Sequence, residues 1–203
     1  MPTTTPEHRP NAAAATGRPS ARERLLASAD ELFYEYGVHT VGIDRVIEHA
    51  GVSKASLYKV FGSKDELVRC YLERRAASRQ ERILAAIDRY ETPRDRLLGV
   101  FDVLEASSAD PGFRGCAFIN ASAESEPGGS VEVTSDESRA WLRSTFTGLA
   151  EAAGASDPPL LARQLSMLYD GATVAARMDR DRTAAAAGRS MAGALLDAAV
   201  SRS

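Results

Sequence analysis

The chain has 203 residues, 44% hydrophobic and 26% charged, with a net charge of −3, the balance of a globular protein of one domain or two small ones. No apolar run approaches the roughly 18 residues that span a bilayer, and "MPTTTPEHRPNAAAATGRPS" at the N-terminus lacks a charged-then-apolar signal pattern, so a cytoplasmic protein without membrane contact is expected. Cys70 and Cys116 are too few for a disulfide framework, and His8, His39 and His49 show no ligand spacing, so neither a metal nor a cofactor is expected.

Residues 1–19 are rich in Pro, Thr and Ala and are expected to be a disordered arm. Arg18, with Arg9 behind it, is either an electrostatic arm for a nucleic-acid backbone or minor groove, or part of a leftover tail. Ser20 and Glu23 form a capping box that opens the first helix. Leu25, Leu26, Ala29, Leu32, Phe33 and Tyr36 recur on its apolar face, and Gly37 ends it.

A short helix from about Gly42 to Ala50 turns Ile43, Val46 and Ile47 inward, and Gly51 breaks it. Ser53 caps a second short helix, in which Leu57 and Phe61 stand four apart, and Gly62 closes it. Ser63 and Glu66 then read as another capping box. It opens a long helix through Leu67, Cys70, Tyr71, Ile83 and Ile87 to about Tyr90, with Cys70 as a packing residue.

Pro93 restarts the chain in a helix past Leu97, Phe101 and Leu104, which ends at Pro111-Gly112. A short piece, Cys116 to Glu124, precedes Pro127-Gly128-Gly129, and a longer helix runs around Trp141, Leu142, Phe146 and Leu149. Asp157 caps the next helix, with Pro158 in its first turn and Leu161, Leu165, Leu168 and Ala172 on its face. The last helix covers about Arg182 to Val200. No stretch alternates with period two, so the chain reads as all-α and its second half as a helical bundle.

Three N-terminal helices with a glycine-centred turn between the second and third match a helix-turn-helix plan. In that plan the third helix enters the major groove. Leu57 and Phe61 would anchor it, leaving Lys54, Ala55, Ser56, Tyr58 and Lys59 near its front. Small Ala55 permits close approach, Ser56 can bond a base edge, Tyr58 can reach phosphate or a thymine methyl, and the lysines neutralise phosphates. Arg45 of the bracing helix is grouped with them as a DNA-binding candidate. Lys64 in the first turn of the long helix opposes the helix dipole, which makes sense if it grips a phosphate together with the backbone amides there. Residues 1–75 hold eleven Lys and Arg against ten Asp and Glu, while the remainder carries −4, the sign expected if the N-terminal part meets a polyanion.

Residues 41–72, "VGIDRVIEHAGVSKASLYKVFGSKDELVRCYL", strongly resemble the TetR family of bacterial transcriptional regulators, through Leu57-Tyr58, Phe61, Gly62-Ser63-Lys64 and Leu67. Two positions depart from the pattern: Val60 stands where the family often has histidine, and Ile47 where helix-turn-helix sequences often have alanine. Residues 112–124, "GFRGCAFINASAE", look like a segment found in a subset of TetR-like regulators. The resemblance implies a DNA-binding domain over 20–67 and a ligand-binding and dimerisation domain over 68–203. It implies a homodimer formed through the last two helices, a palindromic double-stranded DNA operator, and a small-molecule inducer of unknown identity held in the C-terminal domain. Gly171, Ala172, Ala175 and Ala176 would let dimer helices approach, or would pack within the chain.

A pocket in such a bundle is mostly apolar with a few polar groups. Its candidates are Phe101, Leu104, Phe113, Cys116, Phe118, Asn120, Trp141, Phe146, Met167 and Tyr169, with Met178 beside them. Each aromatic or Met is also a plain core residue by its spacing. Asn120, set among apolar neighbours, must find partners. Cys116 follows Arg114 and Gly115 near a helix N-terminus, a setting for a redox- or electrophile-sensing thiol or for a structural one. No G-x-S-x-G elbow, H-E-x-x-H or phosphate loop occurs, so no catalytic residue is assigned and an enzyme is not expected. A helical protein-interaction adaptor is the alternative to a ligand-released repressor.

Overall fold

The computed structural model describes residues 19–125 and 128–200, so Arg9 and Arg18 lie outside the described residues, as does all of the N-terminal arm but Pro19. Among the described residues the chain is all-α, in nine helices. They are α1 (Ala21–Tyr36), α2 (Ile43–Ala50), α3 (Lys54–Phe61), α4 (Lys64–Ile87), α5 (Pro93–Ser108), α6 (Ala117–Glu124), α7 (Ser130–Ala152), α8 (Pro158–Met178) and α9 (Ala184–Val200). None is long and apolar enough to cross a membrane.

Local signals place most boundaries. The Ser20 hydroxyl accepts from the Glu23 amide at 3.2 Å, and the Glu23 carboxylate takes the Ser20 amide at 2.7 Å, so that capping box is complete. The box at Ser63 is only half formed. Its hydroxyl accepts from the Glu66 amide at 3.1 Å, but the Glu66 carboxylate turns to the Arg69 guanidinium instead. A charged fork offers more than one backbone amide, and that pairing holds Glu66 below the usual carboxylate range.

Helix α4 stops at Ile87, short of Tyr90, because Tyr90 is used elsewhere. Its hydroxyl donates to the Asp102 carboxylate, its carbonyl accepts from Arg96 Nε at 2.8 Å, and its ring lies where a side chain on Gly99 would stand, 2.7 Å from a Cβ there. α9 likewise starts at Ala184, after a turn in which Asp181 accepts from the Thr183 amide and hydroxyl.

Two apolar cores form. The first joins α1, α2, α3 and the N-terminal part of α4, around Leu25, Phe33, Val46, Leu57, Leu67, Tyr71 and Leu72. α6 adds Ala117, Phe118 and Ala121 to it, and α7 adds Val131. Ile43 and Ile47 pack at its edge, half-buried, and Cys70 sits inside it, where burial pushes the thiol up. The second core joins the C-terminal part of α4 to α5, α7, α8 and α9, around Ile83, Phe101, Phe146, Leu165 and Leu196. Between them the middle of α4, residues 73–82, is "ERRAASRQER", mostly polar, with Ala76 packing at the edge of the first core. Ala172 of α8 packs inward, 3.1 Å from where a Cβ on Gly188 would lie, so this small pair brings α8 and α9 of one chain together.

Candidate nucleic-acid interface and ligand cavity

α3 has only eight residues, and a helix that short is marginal unless held from outside. Leu57 is completely buried and Phe61 nearly so, which fixes one face against the first core. Gly51 takes the left-handed conformation (φ 61°, ψ 43°) that ends α2, and Arg24 of α1 donates to its carbonyl at 3.1 Å, tying the turn to α1. The Ser28 hydroxyl and His49 Nδ1 make a second tie between α1 and α2, at 3.0 Å. At the start of α3 the Ser53 hydroxyl accepts from the Ser56 amide at 3.2 Å and shares a hydrogen bond with the Ser56 hydroxyl at 2.8 Å.

The face of α3 opposite Leu57 and Phe61 is open. Lys54, Ala55, Tyr58 and Lys59 are exposed, Ser56 is half-buried, and Tyr58 shows 47% of its surface. Val60 is exposed too, so it adds nothing to the core. Lys54 is not free of partners: its ammonium sits 2.9 Å from Asp44 of α2, and that hydrogen bond raises its pKa. The Arg45 guanidinium lies over the Tyr36 ring, 4.2 Å from its centroid, which pins an exposed cation beside the helix pair. Lys64 occupies the first position of α4, after the Ser63 cap.

Below this unit two cavities of about 180 and 260 Å³ flank Phe118, sharing Arg79, Cys116, Phe118 and Asp170 as walls. The first also takes in Tyr34, Arg75, Arg82, Leu104, Phe113 and Tyr169. Of the ligand candidates, Leu104, Phe113, Cys116, Phe118 and Tyr169 thus line a cavity, with Cys116 as the N-cap residue of α6. Burial pushes the Tyr169 phenol up to about 12, so it stays protonated near neutrality. Phe101 and Phe146 stand behind Tyr169, with ring centroids 5.7 and 6.5 Å from it, as core rather than lining. Trp141 is half-buried against the second core.

Two candidates lie elsewhere. Asn120 is exposed and its amide donates to the Arg114 carbonyl at 3.0 Å, so its partner is backbone. Met167 is 69% exposed, because it stands two residues, about 200° of helix, from inward-facing Tyr169. With Leu160, Val174 and Met178 it forms an outward apolar stripe on α8, and Met191 is exposed on α9.

The cavity wall is tied to α1. The Tyr34 hydroxyl accepts from the Arg114 amide at 2.9 Å and donates to the Gly115 carbonyl at 3.0 Å. Arg114 pairs with Glu35 at 2.7 Å, and the Glu124 carboxylate at the end of α6 takes the His39 amide at 2.8 Å. Arg75 bonds both carboxylate oxygens of Asp30, at 2.6 and 2.8 Å, and covers the Tyr34 ring at 3.9 Å. None of Tyr34, Arg75, Arg79 or Arg82 was among the sequence candidates; the one signal was a polar run inside an otherwise apolar helix face.

Residues 25–70 match the family described as bacterial regulatory proteins, tetR family. Among solved structures, a TetR-family transcriptional regulator from Streptomyces coelicolor is similar with a TM-score of 0.84 and 32% identity, over 89% of this chain and 96% of that one. A TetR-type regulator from Streptomyces avermitilis follows at 0.81 and 37%, over 89% and 98%. The HTH-type transcriptional activator FasR of Mycolicibacterium smegmatis is 35% identical over 95 residues, 45% of this chain and 43% of its own length. The HTH-type transcriptional repressor NemR of Escherichia coli K12 is 30% identical over 105 residues, 51% and 53%. The match thus spans about half the length of these curated relatives.

Proposed function

The chain belongs to the TetR family of bacterial transcriptional regulators, and from that premise we propose that it is a dimeric repressor which a small molecule releases from a palindromic operator. Residues 20–67 read the DNA and residues 68–203 bind the ligand and dimerise. α3 enters the major groove, with Ala55 allowing close approach, Ser56 and Tyr58 meeting base edges or the adjacent backbone, and Lys54, Lys59, Lys64 and Arg45 neutralising phosphates. Arg18, outside the described residues, is proposed as a further phosphate or minor-groove contact. The Ser53–Ser56 bond orients the Ser56 hydroxyl, and Ser56 exchanges it for a base when α3 docks.

The exposed stripe of Leu160, Met167, Val174 and Met178 on α8 supports dimerisation there, since contiguous apolar surface of this kind marks an association face. Two α3 helices must then stand about 34–36 Å apart, or a multiple of that, to meet successive turns of one DNA face. The observation that carries ligand release is Tyr34. It lines the first cavity, belongs to α1, and its hydroxyl is clamped to the 114–115 backbone. A molecule that fits the cavity better when residues 112–118 shift pulls on α1, and through Arg24 and Ser28 on the α2–α3 pair. DNA affinity falls by the ratio of ligand affinities for the two arrangements.

The test is fluorescence anisotropy of the full chain on the duplex upstream of its own gene, between about 50 and 200 mM salt. A sequence-specific complex is expected, and Lys64→Ala should lower the log–log salt slope by about one. An unchanged slope removes Lys64 from the interface, and no preference over unrelated DNA would favour the adaptor.

A further inference from the structure

The charge around the two cavities is lopsided. Arg75, Arg79, Arg82, Arg139 and Arg143 line them, against Asp110 and Asp170. Most of the remaining charge is already matched. Arg75 is held by Asp30, Arg139 stands 2.8 Å from Asp170, and Asp110 accepts from the Gly112 amide at 2.7 Å. Arg79, Arg82 and Arg143 are different, because none has a carboxylate within ion-pair distance among the described residues; Arg143 is exposed at the second cavity, while Arg79 and Arg82 share the first.

Arg79 donates through Nη2 alone, to the Ser138 carbonyl at 3.0 Å and hydroxyl at 2.6 Å. Its Nε–H is shut off from solvent and has no acceptor. Arg82 donates to the Ser107 hydroxyl at 2.9 Å and to the Ser78 carbonyl at 3.3 Å, all neutral oxygens. The two stand three apart on one face of α4, at the wall of the first cavity. The Phe118 ring lies under the Arg79 guanidinium, 5.1 Å from its carbon, and fixes the plane of the fork. A buried donor without an acceptor is uncommon enough to require a reason, and among the described residues the Arg79 Nη1 group has no acceptor either, which leaves it for an acid oxygen. The lining around it is mixed: Val103, Leu104, Phe113 and Phe118 give the first cavity an apolar side and Ile119 and Leu142 the second, beside Thr173, Ser135 and Ser166.

Resting on the reading of this cavity as the effector site, we propose that the effector is a small amphipathic anion, its acid group held by Arg79 and Arg82 and its apolar body packed along Phe113 and Phe118. A cation or a polymer is disfavoured by the excess of arginine and by the cavity size. Binding of the acid also gives the Arg79 guanidinium an acceptor through its open Nη1, next to the 114–118 segment that clamps Tyr34.

A matched pair of probes tests this on the full chain: 8-anilinonaphthalene-1-sulfonate, and N-phenyl-1-naphthylamine, which keeps the same rings without the sulfonate. Fluorescence titration gives the affinities. Protection of Cys116, which lines both cavities, from N-ethylmaleimide reports where the probe sits. The sulfonate should bind about tenfold tighter than the neutral amine and slow Cys116 alkylation. Arg79→Met with Arg82→Met should bring the two affinities within about twofold. Arg82→Met, at the exposed end of the pair, should narrow the gap without touching the Ser138 bonds, and circular dichroism melts check that both variants are folded. If the neutral amine protects Cys116 as well as the sulfonate does, the acid preference is wrong and the cavity reading stands. If neither probe protects Cys116, the cavity reading falls and the proposal with it.

Discussion

Tyr34→Phe removes one oxygen atom and leaves the ring, including the Arg75 guanidinium stacked on it at 3.9 Å. What goes is the clamp between α1 and the cavity wall: one bond accepted from the Arg114 amide at 2.9 Å and one donated to the Gly115 carbonyl at 3.0 Å. At about 1 kcal/mol net for each hydrogen bond, the loss is about 2 kcal/mol. The Arg114–Glu35 pair survives, but its side chains are partly exposed and such pairs contribute at most about 1 kcal/mol, so it does not restore the clamp. For a chain of this length, 2 kcal/mol corresponds to a fall in melting midpoint of about 4–8 °C. The assay is thermal unfolding at fixed protein concentration, since the proposed dimerisation would make the midpoint concentration-dependent, with amide exchange followed over residues 112–120. Faster exchange there should accompany the lower midpoint. A variant that melts within about 1 °C of the wild type, with unchanged exchange, refutes the idea that this hydroxyl couples the two parts.

Other outcomes follow from the same geometry. Asp44→Asn releases Lys54 from its 2.9 Å partner and removes a negative charge beside the proposed DNA face, so operator binding should tighten by up to about fivefold, on the scale of an exposed ion pair; weaker binding in a titration would place Asp44 in a contact instead. Leu57→Ala empties a fully buried site under α3 and should cost about 2–5 kcal/mol in urea unfolding, whereas a loss under about 1 kcal/mol would mean that α3 is not anchored there. Met167→Asp with Met178→Asp puts charge on side chains that are 69% and 75% exposed, so it should leave the helical signal intact and turn a dimer into a monomer by analytical ultracentrifugation; a variant that stays dimeric moves the interface off this stripe.

The helix-turn-helix was legible because its signals are local. Ser20, Ser53 and Ser63 each cap the helix that follows them, and Leu57 and Phe61 declare a buried face within eight residues. Glu66 shows the limit of such reasoning. Its spacing from Ser63 fits a capping box, but Arg69, three residues on, offers a stronger partner, and spacing alone does not rank the two.

The cavity was legible only in part. Phe113, Cys116 and Phe118 reach it because the 112–118 segment wraps its edge, whereas Met167 and Tyr169 carry equal apolar character two residues apart on one helix. Which of the two faces inward is decided by where α5, α7 and α9 pack on α8. The arginines were the larger omission. In sequence Arg75, Arg79 and Arg82 look like an ordinary solvated helix face; they become a cavity wall only when α5, α6 and α8 close around the middle of α4. Residues far apart in the chain supply those walls, so no local pattern reports them.

The most direct test of sequence-specific recognition by α3 is selection of bound duplexes from a randomised pool by the full chain, followed by sequencing. One enriched inverted repeat is expected, with half-site centres about one helical turn of DNA apart or a multiple of it. A pool that stays random after selection, or converges on a sequence without two-fold symmetry, contradicts it.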